Sequence, residues 1–204
     1  VFANQGGGEA EASAGAGECV TQADGAGATY ASGNRFTVGS TSVTLYAKWT
    51  AATATIAYDA NTATGGSAPS SATGTAGSAT TVAGNTGTLV KTGYSFAGWN
   101  TAANGTGTDY ATAAAINYPA SGTTTLYAKW TAVSYTVVYN SNGGSSAPGS
   151  TSVLYGSTVS VVSSASNPTR SGYTFAGWNT AANGGGTAQA AGSTFSMPAS
   201  NVTL

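Results

Sequence analysis

The chain repeats itself at an interval of about 80 residues, and no other feature limits the fold as much. "GYSFAGWNTAANGTGT" (residues 93–108) returns as "GYTFAGWNTAANGGGT" (172–187), 79 positions on, changed at Ser95/Thr174 and Thr106/Gly185. "TLYAKWT" stands at 44–50 and again at 125–131, 81 positions apart. Units of this length are small modules, and tandem copies bury against one another what each alone leaves exposed. Cutting after each "AKWT" gives a flexible start and partial first repeat over 1–50 and a complete second repeat over 51–131. The third repeat, 132–204, lacks the end of its closing strand. In this alignment Cys19 falls where Trp99 and Trp178 stand, so a buried apolar role is expected, with an intermolecular disulfide as the alternative.

Each unit reads as short strands between turns. "SYTVVY" is rich in β-branched and aromatic residues, which suit a pleated, half-buried surface, and Tyr135, Val137 and Tyr139 share one face. "NSNGG" follows as a hairpin signal, because Asn and Gly tolerate positive φ. "SVLYGSTVSVV" reads as a strand pair broken at Gly156, and "YTFAGWNT" places Tyr173 and Phe175 together. The closing strand is "TTTLYAKW", with Leu126, Ala128 and Trp130 alternating with Tyr127 and Lys129. No stretch holds a 3.6-residue period for three turns, although a short helix at "ATAAA" or "SSASN" is compatible with the pattern. The fold class is therefore mainly β, in tandem small modules. The segment "NQGGGEAEASAGAGE" at the start is expected to be loose.

These residues resemble a known family. The Gly-Tyr-x-Phe-x-Gly-Trp signature, the upstream "NSNGG", a basic residue before the Gly-Tyr pair (Lys91, Arg170) and the closing "LYAKW" are similar to the Listeria–Bacteroides repeat, related to internalin B-repeats. The resemblance covers about residues 16–204 and implies β-grasp-like modules, α+β with little helix, in an elongated array. It also implies a repeat region of a bacterial extracellular or cell-surface protein, acting as stalk, spacer or adhesion module. The signature positions are Leu45, Tyr46 and Trp49; Gly93, Tyr94, Phe96, Gly98 and Trp99; Leu126, Tyr127 and Trp130; and Gly172, Tyr173, Phe175, Gly177 and Trp178.

The chemistry available is sparse. The sequence contains no His and one Cys, against a general base that is most often His and a zinc site that needs about four ligands. No carboxylate position recurs between units: Asp24 aligns with Asn104 and Asn183, Asp59 with Asn140, and Asp109 with Ala188. A duplicated catalytic site would keep its acid, so no enzyme activity and no cofactor are expected. "DANTATG" from Asp59 has oxygen donors at alternate positions, yet Ser70 stands where a calcium loop carries Glu, so an Asx turn is expected. "NGGGT" lacks the Gly-Lys-Ser/Thr of a phosphate cradle and reads as a flexible hairpin loop. Lys48 and Lys129 recur and are read as solvent-facing lysines on an edge strand rather than members of a Lys–Asn crosslink. The four Trp are read as core, with a sugar-stacking platform as the alternative.

Partners follow from charge. Five basic and six acidic residues leave no cluster for phosphate backbones, which excludes nucleic acid as an expected partner. No apolar run approaches the roughly 20 residues of a spanning helix, so no membrane insertion is expected within this segment. Neighbouring repeats or copies of the chain itself are the first expectation, then a host or cell-surface protein or a glycan. One repeat alone is marginal once backbone ordering is counted, and an open closing strand invites head-to-tail strand exchange into an extracellular filament.

Overall fold

The computed structural model describes residues 8–11, 18–22, 24, 26–38, 43–163 and 167–204. Two compact units appear, Val1–Ala52 and Thr53–Leu204. In the first, β1 (Gly8–Glu11) and β4 (Arg35–Val38) form an antiparallel pair. Strand β2 (Glu18–Val20) lies between β3 (Thr29–Ala31) and β5 (Tyr46–Lys48). Gly8–Glu11 is thus paired strand, although the sequence reading made this stretch loose. The remaining residues of that loose segment before Glu18 fall outside the described residues.

The second repeat opens the second unit. Its strands are β6 (Thr53–Asp59), β7 (Ala72–Thr75), β8 (Ala79–Thr81), β9 (Tyr94–Asn100), β10 (Asp109–Tyr110), β11 (Ala115–Asn117) and β12 (Gly122–Ala132). Five of them make one sheet in the order β10-β9-β12-β6-β7, and β8 pairs with β11 beside it. The first and last strands of the repeat, β6 and β12, are central and parallel, with Ile56 opposite Thr124 and Tyr58 opposite Leu126. Parallel neighbours need a long crossover between them, which the intervening hairpins supply. Alternation along β6 buries Ala54 and Ile56, and along β12 it buries Leu126 and Ala128.

Trp99 is the centre of this core and is wholly buried. Tyr58 and Phe96 meet its ring edge-on at 4.8 and 5.2 Å, within the preferred range for aromatic pairs. Its Nε1 donates to the Ala83 carbonyl at 2.9 Å, and the Ala83 N–H donates to the Tyr58 hydroxyl at 2.8 Å. The polar tips of two core aromatics therefore hold the Val82–Ala83 crossover against the sheet. Val82, Leu89, Ile116 and Tyr118 close the core from that side.

The third repeat follows through Val133. Its strands are β13 (Ser134–Val138), β14 (Thr151–Leu154), β15 (Thr158–Ser160), β16 (Trp178–Asn179), β17 (Ala188–Gln189), β18 (Thr194–Ser196) and β19 (Val202–Thr203). Strands β14-β13-β19 repeat the β7-β6-β12 arrangement, β15-β18 repeats β8-β11, and β16-β17 repeats β9-β10. Tyr139 and Phe175 again meet the buried Trp178 edge-on, at 4.8 and 5.1 Å. Where β9 runs for seven residues, β16 runs for two.

The chain is mainly β, and no helix occurs among the described residues. At "ATAAA", Ala113 takes a positive φ of 62° and β11 begins two residues later, so no helix forms there. "SSASN" lies largely outside the described residues. Two turn expectations need correction. Asn142 and Gly143 have φ of 47° and 84°, and the Gly144 N–H donates to Ser141 O at 2.9 Å, so the tight turn forms. It sits inside the longer connection from β13 to β14 rather than joining them directly. Strands β14 and β15, read as a pair broken at Gly156, belong to different sheets, the turn at Gly156 (φ 76°) passing the chain from one to the other.

Candidate functional site: the tryptophan–asparagine loop and the faces around it

The most repeated stretch, Trp-Asn-Thr-Ala-Ala-Asn-Gly-x-Gly-Thr, is a loop closed by its own side chains. In the second repeat the buried Asn100 sits at its base. Its Oδ1 accepts from the N–H groups of Ala102 at 2.8 Å and Gly107 at 3.0 Å. Its Nδ2 donates to Gly105 O at 3.3 Å, Gly107 O at 3.1 Å and Asp109 Oδ1 at 2.6 Å. Asn179 repeats the pattern on Ala181, Gly184 and Gly186. The next residue clasps the loop's far side: Thr101 Oγ1 accepts from Thr108 N at 2.9 Å, Thr180 Oγ1 from Thr187 N at 2.8 Å, and Thr21 Oγ1 from Ala28 N at 3.0 Å.

The remaining fixed letters follow. Asp24, Asn104 and Asn183 each accept the N–H two residues on, the side-chain bond that makes an Asx turn. A Cβ at Gly107 or Gly186 would overlap the clasping threonine hydroxyl, which is why that position stays bare. The loop's inward N–H groups are occupied by side-chain oxygens, so it offers no cradle for phosphate. It is also pinned at both sides, where the sequence reading made it flexible. Asn100 and Asn179 are the residues that reading quoted without singling out, and the signal was their place beside each Trp.

The first unit carries the same loop with different contents. Cys19 pairs with Ala47 and Tyr30 across its strands, as Trp99 pairs with Ala128 and Tyr110. Cys19 is buried and free, and Val20 takes the asparagine position. Phe36 gathers Tyr30, Val43 and Leu45 into a small cluster.

The signature aromatics do not share one environment. Trp99 and Trp178 are core, and Phe96 and Phe175 lean on them. Trp130 is half-buried: its ring meets Phe96 at 5.8 Å and its Nε1 donates to Asn61 O at 2.9 Å. Trp49 is 89% exposed, against the expectation that it is core. Its position needs a ring like Phe96 beside it, and Ala16 stands at the aligned position. Tyr46 is 41% exposed and Tyr173 69% exposed, while Tyr94 and Tyr127 are half-buried. Of the four indoles, Trp49 alone presents a broad face on which a sugar could stack.

Gly98 and Gly177 have φ of 114° and 130°, and at Gly98 a Cβ would come 2.6 Å from Tyr110 O. Only glycine suits both demands. The register between β12 and β9 slips just there, between Lys129 and Trp130, so that Trp130 lands opposite Phe96. Lys129 lies on this central strand, not on an edge, and forms an ion pair with Asp109. That bond, with the one from Asn100, holds the Asp109 carboxyl below its ordinary pKa. An acid shuttling protons for a Lys–Asn crosslink must be protonated, and Asp109 beside Lys129 is the opposite. Asp59 accepts from Asn61 N at 2.7 Å in an Asx turn, and the Lys91 ammonium donates to Thr62 Oγ1 at 2.7 Å, so a cation, not a vacancy, borders that loop.

Consecutive repeats interlock at Gly93-Tyr94. Tyr155 of the third repeat meets the Tyr94 ring edge-on at 5.4 Å and covers Gly93 so closely that a Cβ would overlap it. The Val133 N–H donates to Gly93 O at 2.9 Å, and the Tyr155 N–H donates to Val133 O at 2.8 Å. Lys91 stacks over Tyr94 at 4.8 Å, as Arg170 stacks over Tyr173 at 4.4 Å. Tyr155 was invisible as a site residue because it does not recur; Ala76 holds the aligned position.

Two copies of one strand order and one pinned loop are therefore joined by a tyrosine contact. The profile of the Listeria-Bacteroides repeat domain matches residues 55–129 and 135–204. The chain belongs to the Listeria-Bacteroides repeat family. Repeats of this family occur in bacterial surface proteins. A protein of Evansella cellulosilytica, whose name calls it a Gly-rich membrane protein, is 38% identical over 155 residues, 74% of this chain and 18% of that protein. The chain thus spans about a fifth of that relative's length. No solved structure matches.

Proposed function

We propose that this tandem of Listeria-Bacteroides repeats is a structural segment of a bacterial cell-surface protein, acting as a stalk or spacer and not as an enzyme. The observation that carries the reading is the direction in which the repeated residues point. Trp, Phe, Asn and Thr of the signature serve their own module, through ring contacts and loop-closing hydrogen bonds. What differs between modules, Tyr155 against Ala76, serves the joint between two of them. A binding or catalytic site would instead repeat groups that face outward.

A spacer has to resist bending, and here the joint is a ring pair, a cation stacked on the first ring and two backbone hydrogen bonds. Small-angle X-ray scattering on residues 53–204 tests this, comparing the native sequence with Tyr155→Ala. The reading expects a well-defined longest dimension that blurs in the variant, as the two repeats swing apart. Identical scattering from both would remove the joint from the account. The adhesion alternative is tested by binding of the same fragment to host-cell or glycan surfaces, where the spacer reading expects none.

A further inference from the structure

We propose that the second repeat is a tension clamp: a pull on its two ends is met by the parallel β6–β12 pair in shear, with Asn61 as the latch. The repeat stands between the first and the third, so force along the chain enters at Thr53, where β6 begins, and leaves at Ala132, where β12 ends. These two strands are neighbours and run the same way, from Ala54 opposite Gly122 to Asp59 opposite Tyr127. Drawing Thr53 backward and Ala132 forward therefore slides one strand along the other. The evenly spaced bonds of a parallel ladder then share the force and have to give way together. A pair of strands pulled apart from one end opens a pair of residues at a time.

The rest of the repeat holds β12 as well. Beyond β6 the strand pairs with β9, from Tyr127 opposite Asn100 to Ala132 opposite Tyr94. The next N–H, of Val133, donates to Gly93 O at 2.9 Å. The first half of β12 is thus held by β6 and the second by β9. Leu126 and Ala128 on β12 are fully buried, and Ala54 and Ile56 on β6 nearly so. Water is kept from that face of the ladder, where its hydrogen bonds are electrostatically stronger than in solvent.

Asn61 sits two residues past the end of β6, its N–H donating to Asp59 Oδ1 at 2.7 Å. Its Nδ2 donates to Ala128 O and to Ala103 O, both at 2.8 Å, and its carbonyl accepts from Trp130 Nε1 at 2.9 Å. It ties the far end of β6 to β12 just beyond the last residue pair between them, Tyr127 and Asp59. Forward sliding of β12 stretches that tie from the first moment, whereas opening from the other end reaches it last. The φ of 45° at Asn61 is one that Asn adopts more readily than most residues. The inference rests on the spacer reading for the source of the pull, and adds the direction in which the repeat is strong.

Single-molecule force spectroscopy on the 204-residue chain is the test, with handles placed in two ways in a Cys19→Ala background. Ala52→Cys with Thr131→Cys draws the strands in shear, and Ala52→Cys with Ser121→Cys parts them from the end where both begin; all three positions are exposed. At one loading rate the shear geometry should need the higher force, because forced unfolding follows the rate over its barrier and the whole ladder stands before that barrier. Asn61→Gly keeps the positive φ open and removes the side chain. At constant force it should speed unfolding about tenfold in shear, where two hydrogen bonds are lost ahead of the barrier. It should leave the other geometry unchanged, since there the latch is still closed at the barrier. Equal forces in the two directions overturn the proposal. So does an Asn61→Gly chain that weakens in both directions alike, or in neither, because Asn61 would then add general stability or nothing. None of these results touches the scattering test of the spacer reading, which turns on the Tyr155 joint.

Discussion

Replacing Asn100 by Ala separates a loop that is pinned from one that is merely glycine-rich. The substitution removes the acceptor for the N–H groups of Ala102 and Gly107, and the donor to Gly105 O, Gly107 O and Asp109. Asn100 is 1% exposed, so water does not readily take its place. Each hydrogen bond is worth roughly 0.5–1.5 kcal/mol net, and a buried group left without a partner costs roughly 1–3. Two N–H groups lose an acceptor that is itself buried, which places the loss at about 3 kcal/mol. For a unit of this size that is roughly 6–12 °C in Tm if the two repeats melt together. Asn179→Ala makes the internal control: it forms four of the five bonds, but its side chain is half-exposed and water can substitute, so about 1 kcal/mol is expected. The assay is denaturant unfolding of residues 53–204 followed by far-UV circular dichroism. Losses that are equal for the two variants, or both below about 0.5 kcal/mol, would refute the reasoning.

Other expectations are simpler to check. Trp49→Ala, at an exposed ring, should shift stability by no more than about 0.5 kcal/mol in thermal melts. Tyr155→Ala should cost about 1 kcal/mol from the ring pair and, more tellingly, let the two repeats of the second unit exchange amides independently. Asp109 is held below its ordinary value of 3.8 chiefly by Lys129, so the pair's contribution is whole above that pH and fades as pH falls further. Lys129→Met should therefore lower Tm slightly at neutral pH and flatten its loss in that acid range, the two proteins converging as pH falls. Gly98→Ala should destabilise by more than an ordinary surface substitution, because the residue has φ of 114° and faces the Tyr110 carbonyl.

The repeat interval was enough to cut the second unit into two modules, since strand-forming letters recur in step with it and hydrophobic alternation fixes which face is buried. The core residues Trp99, Trp178, Leu126 and Phe96 were legible for that reason. Strand pairing was less so. "SVLYG" and "STVSVV" are adjacent in sequence and look like a hairpin, yet the turn at Gly156 sends them to different sheets. The central place of β12, with Lys129 on it, depends on a parallel contact between residues about 70 apart, which no local pattern encodes. Trp49 shows the converse limit: the same four letters that bury Trp130 leave an indole in solvent when the neighbours supplied by the rest of the module differ. Asn61 and Asn142 recur 81 positions apart amid changed neighbours, a signal that could have marked them as the asparagines that donate to the Ala103 and Ala182 carbonyls.

Tryptophan emission in a chain carrying Trp49→Phe and Trp130→Phe tests the central claim most directly, because it leaves Trp99 and Trp178 as the sole indoles. Interior pillars predict blue-shifted emission, poor quenching by acrylamide and no response to added glycans until the chain is unfolded. Red-shifted emission that acrylamide quenches freely in the native state would mean that the repeated signature faces outward, and the structural reading would fail.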